Sequence, residues 1–128
     1  MLAVAATIPL LASCGAISAL GDATTPLDVI VLQPPSDLPV RQGRPQARDV
    51  IVEEPTAGGA LATDRIMIQP GALQAQYLPD VRWSDPAPVM LQTLMLRSLD
   101  QTAAFQYVGR RPLGPGGDFA ILTEIVDY

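Results

Sequence analysis

The chain has 128 residues and a formal net charge of −5, with eight arginines, no lysine, no histidine and a single cysteine. That balance lacks the basic surface that phosphate backbones require and so argues against nucleic-acid binding. It also lacks the parts of a Walker A loop, of the usual zinc site and of a Ser–His or Cys–His nucleophile pair, so no catalytic residue, no metal ligand and no cofactor is expected.

In chain order, the first feature is an uncharged apolar run over residues 2–11 that leads into Leu11-Ala12-Ser13-Cys14-Gly15. The run is shorter than the about 20 residues needed to span a bilayer, and it has the length of a signal-peptide core. The small residues before the lone cysteine read as a bacterial lipobox, with Cys14 taking the lipid. Residues 1–13 are therefore expected to be a lipoprotein signal peptide, and residues 14–26, small and polar, a tether between lipid and domain. The first charged residue is Asp22, a departure from the usual basic signal start that points to a start codon further upstream.

Residues 27–32 read as a strand closed by Gln33-Pro34-Pro35, and residues 33–48, with four prolines, as an exposed loop. A second strand is expected over residues 49–53, stopped by Pro55 and Gly58-Gly59. The adjacent carboxylates Glu53 and Glu54 should then point to opposite faces of it. Residues 65–69 and 73–77 form a hairpin in this reading, with Pro70-Gly71 at the centre of a type II turn. Asp85 as N-cap and Pro86 at the first position open a helix over residues 86–102. Ala87, Met90, Leu91, Leu94, Met95 and Leu99 would face the sheet, leaving Val89 and Leu96 opposite them, either as scattered exposed apolar residues of the ordinary kind or for a second contact, to a neighbouring subunit or to further chain. Short and longer strands follow at 105–108 and 119–126, separated by a glycine-rich turn over 113–118. The expected fold is α/β, a mixed, largely antiparallel sheet covered by helices on one face. With one helix for five or six strands and an apolar run close to Tyr128, residues 27–128 read as one domain that is incomplete at its C-terminus.

Several local signatures resemble the ABC-type transport auxiliary lipoproteins, the PqiC-like group. They are Leu61-Ala62-Thr63-Asp64-Arg65-Ile66 entering the hairpin, Tyr77 closing it, Arg82-Trp83 with Asp85-Pro86-Ala87-Pro88 opening the helix, the Leu91 to Leu99 apolar series, and Phe105 to Val108. The resemblance implies a non-enzymatic lipoprotein on the periplasmic side of the outer membrane. It would hold to the membrane by its N-terminal lipid and dock the MCE-domain protein of an intermembrane phospholipid transport system with its ABC transporter, as a homo-oligomer or alone. Arg65, Tyr77, Trp83, Val89 and Leu96 are the candidate partner-interface residues. A periplasmic lipid-binding shuttle, with acyl chains in an apolar groove beside the helix, is the alternative. Cys14→Ser should abolish acylation and release the protein from the membrane fraction or arrest it as precursor; unchanged fractionation would contradict the lipobox.

Overall fold

The computed structural model describes residues 26–114 and 116–127. Cys14 and the expected signal peptide lie outside the described residues. The elements run β1 (Asp28–Ile30), β2 (Gln46–Val52), β3 (Thr56–Ala57), β4 (Arg65–Gly71), β5 (Gln74–Trp83), α1 (Ala87–Gln101), β6 (Phe105–Gly109), β7 (Phe119–Ile121) and β8 (Glu124–Ile125).

Strand β2 organises the molecule. Its second half, Val50-Ile51-Val52, is wholly buried, the continuous apolar run of a strand covered on both faces. It lies between β6 and β7, both parallel to it, with Val50 opposite Val108 on one side and Phe119 on the other. Pro55 then interrupts the ladder, and beyond it β3 pairs in parallel with β8. The partner chain breaks at the same level, so the expected strand over 119–126 is two short ones. Hydrogen bonds from Glu53 N to Ile121 O (3.1 Å) and from Thr56 N to Thr123 O (3.0 Å) carry the pairing across the gap. The third sheet has the order β1-β5-β4.

The mixed α/β class holds, but the largely antiparallel pairing expected from the sequence does not. Among the described strands only the β4–β5 hairpin is antiparallel, while β1–β5, β2–β6, β2–β7 and β3–β8 are parallel. Parallel partners are joined by long crossovers, and turn signals report only strands that are neighbours in sequence. The hairpin also turns later than expected. Gly71 pairs with Gln74, so the loop is Ala72-Leu73, and Pro70 and Gly71 lie within β4. Gly71 has no positive φ, which a type II turn would demand of it. Since β4 is an edge strand, Pro70 fits there without removing an interior ladder bond.

Helix α1 starts one residue later than predicted and is capped differently. Pro86 is the N-cap and makes no side-chain cap bond; Asp85 instead accepts from the Ser84 hydroxyl at 3.1 Å. The first helical N–H, on Ala87, donates to Thr63 O at 3.0 Å, and Pro88 has none to satisfy. The cap is thus a backbone group from the turn before β4. At the other end Thr102 Oγ1 donates to Leu99 O (2.6 Å), and Ala103, with φ 51°, closes the helix by donating to Asp100 O (3.0 Å).

The buried side of α1 includes Ala87, Pro88, Met90 and Gln92, and the helix packs on β6 and β2. Gln92 is 6% exposed. Its Nε2 donates to Val52 O at 2.8 Å and its Oε1 accepts from Arg110 Nε at 2.8 Å. The helix is therefore seated on a stripe that contains a polar residue. Leu96 is half-buried and lines a hollow beside β6 with Val108 and Gly109. Gln92→Ala would leave the Val52 carbonyl without its donor and should cost about 1–3 kcal/mol in urea denaturation. Arg110→Ala should cost less, because Arg110 is itself exposed.

Candidate functional site

Two of the expected interface residues meet on the β4–β5 hairpin. Arg65 opens β4 and Tyr77 lies on β5 opposite Met67. The Arg65 guanidinium sits 3.9 Å from the Tyr77 ring centroid, a cation–π pair. Tyr77 is pinned from below by its hydroxyl, which donates to Ala60 O at 3.0 Å. The register also sets Arg65 opposite Arg82, where like charges repel. The two diverge, Arg65 onto the ring and Arg82 toward Asp64 at 3.7 Å; that second pair is exposed on both sides and contributes little to stability.

Trp83 follows Arg82 as the last residue of β5, at the end away from the hairpin tip. It lines a small apolar hollow of about 140 Å³ with Leu32, Ala87, Met90 and Leu91. Its backbone N–H donates to Asp64 O at 2.7 Å, while its indole Nε1 is buried with no hydrogen-bond partner. Trp83 thus joins β5 to the start of α1, the core role that its neighbours give it. Val89 and Leu96 are half-buried, and Val89 O accepts from Thr93 Oγ1 at 2.9 Å.

The sequence reading missed a cluster centred on Arg110. Besides its bond to Gln92, Arg110 donates through Nη2 to Thr93 Oγ1 at 2.7 Å. With two of its nitrogens committed, the guanidinium has a fixed direction. It lies at the rim of a hollow of about 280 Å³ that is also lined by Leu96, Arg97 and Asp100. Leu96 and Val108 give it an apolar part, and Arg97, Arg110 and Asp100 a charged one of mixed sign. The available signal was Gln92, a polar residue placed among Pro88, Met95 and Leu99 at helical spacing.

On the opposite edge of β2, Asp118 accepts from the Asp49 N–H (2.8 Å) and from Arg48 Nη1 (2.7 Å). Gly117 lies so close to β2 that a Cβ on it would come within 2.6 Å of Ile51 Cγ1. The end of the glycine-rich segment is thus a clasp on β2, in keeping with a turn rather than a phosphate loop. Strand β2 ends at Val52, so strand alternation does not govern Glu53 and Glu54, and both contribute to the lining of one hollow with Glu124. Among the described residues no group of three His, Cys, Asp or Glu side chains is placed to hold a metal ion.

A family model described as the ABC-type transport auxiliary lipoprotein component matches residues 31–127. No curated protein matches the chain. The fold is similar to that of the crystal structure of protein XCC0632 from Xanthomonas campestris, with a TM-score of 0.59 and 20% sequence identity over 74% of this chain. The aligned part covers 53% of that protein, so the chain spans about half its length.

The clasp at Asp118 sets a pH dependence. The Asp49 N–H, and after it Arg48, stabilise the carboxylate and hold its pKa below that of an ordinary aspartate. A depressed native pKa gives stability that is present above the unfolded-state value and lost as pH falls through the native one. NMR titration should place the Asp118 midpoint below that of an ordinary aspartate, and Asp118→Asn should remove this part of the acid sensitivity. An ordinary midpoint would contradict the clasp.

Proposed function

As the chain belongs to the ABC-type transport auxiliary lipoprotein component family, we propose that it is a non-catalytic adaptor. In this reading Cys14 carries the lipid, residues 14–26 form the tether, and residues 27–128 dock the MCE-domain assembly of an intermembrane phospholipid transport system from the periplasmic side of the outer membrane. The family match carries the reading. The geometry supports it through two surfaces of the kind that dominates protein interfaces: Arg65 stacked on Tyr77, and Arg110 held at the rim of the Leu96 hollow.

The shuttle alternative has one observation in its favour, an apolar hollow of about 390 Å³ lined by Gln46, Val50, Leu99, Phe105, Phe119 and Ile121. That volume lies within the range of small-molecule sites, roughly 300–1,000 Å³. The hollow at Trp83, of about 140 Å³, lies at the other end of α1 and shares no lining residue with it. A shuttle needs one continuous groove along the helix, and the adaptor reading is preferred. Cross-linking and affinity isolation of the lipidated full chain from membranes should recover an MCE-domain protein with its ABC transporter, and Leu96→Glu should reduce that recovery several-fold at unchanged melting temperature. Stoichiometric phospholipid without those proteins would overturn the adaptor in favour of the shuttle.

A further inference from the structure

The β4–β5 hairpin ends in a feature that its backbone does not require. Its two-residue loop is Ala72-Leu73, where hairpins usually place Gly, Asn or Asp. Neither residue has positive φ, so a polar residue would serve the turn equally well. Leu73 is nonetheless 100% exposed. Around it the hairpin is free of charge: no residue from 66 to 79 is Asp, Glu, Lys or Arg, and Arg65 and Asp80 bracket the stretch.

We infer that the tip of this hairpin inserts Leu73 into a neutral lipid surface, as a second membrane contact beside the N-terminal lipid. The inference rests on the lipoprotein reading, which keeps the domain close to a membrane. Three observations favour lipid as the occupant. Exposed polar side chains behind the tip, Gln69, Gln74 and Gln76, are amides, which can meet lipid headgroups and esters without the cost of dehydrating a charge. Arg65 and Tyr77 come next along the hairpin, stacked on each other, and a cation with an aromatic ring suits the headgroup level. A strand rises about 3.3 Å per residue, so Tyr77 stands about 13 Å behind Leu73, beyond the roughly 5–10 Å that interfacial segments penetrate. The net charge of −5 favours a zwitterionic surface over an anionic one. A protein partner fits less well, because a two-residue tip offers far less than the about 800 Å² per side of a standard interface.

The test uses the full chain with Cys14→Ser, which removes the native thiol, and a single new cysteine, Leu73→Cys or, as control, Arg97→Cys on the exposed side of α1. Each is labelled with an environment-sensitive fluorophore and mixed with phosphatidylcholine vesicles containing nitroxide-labelled lipid. A blue shift with quenching at position 73 and neither at position 97 is expected. Leu73→Asp should weaken vesicle binding about tenfold, the loss of one buried leucine, at unchanged melting temperature. Quenching at neither position, or equally at both, overturns the inference. So does a blue shift at 73 without quenching, which would place the tip in a protein contact. The vesicles contain no transport protein, so this result is independent of whether an MCE-domain assembly is recovered from membranes.

Discussion

The Gln92 carboxamide is the buried polar group on which the seating of α1 depends: it donates to the carbonyl of Val52 at the end of the central strand and accepts from Arg110 just after β6. Apolar packing alone is tolerant of small rotations of a helix over a sheet, because it is non-directional. A buried amide is not, since a modest rotation would strand both of its bonds at the cost of desolvation. The hydrogen bonds therefore select one rotation of α1 about its axis. That rotation brings Leu96 to the β6 edge and Met95 to Thr123. It also fixes Arg110 at the surface, where the candidate docking hollow forms.

The parts of this arrangement that were legible in the sequence are those encoded by neighbouring residues. The hairpin, the Asp-Pro helix start to within one residue, and the apolar strand at Val50-Ile51-Val52 all follow from local pattern. Arg65 and Tyr77 were singled out and do meet, because a hairpin brings its own arms together. What failed was decided by distant groups. The helix cap comes from Thr63 rather than Asp85, and the turn slid to Ala72-Leu73 because an edge strand admits Pro70. Gln92 was not singled out, since an amphipathic pattern scores an amide as a surface residue even where it is buried.

Parallel pairing makes the same point at the level of the sheet. Strand β2 has no partner among its sequence neighbours; both strands beside it come from the last quarter of the chain. The order of apolar segments announces how many strands there are, and says little about which ones lie side by side. The 20% identical crystal structure shares the fold despite that low identity, as expected when a fold is specified by patterning and a few buried constraints rather than by particular side chains.

The position of β2 between two late partners has a consequence for the history of the molecule. Loop-closure entropy has to be overcome before such distant pairings are rewarded, so folding that waits for them is slow. Until β6 and β7 have been made, Val50, Ile51 and Val52 have nothing to pair with, and the emerging chain has no means of completing its core. Burial of β2 is therefore a late event: a chain that has not yet been extended as far as β7 stays open at its centre, however much of its hairpin and helix has formed.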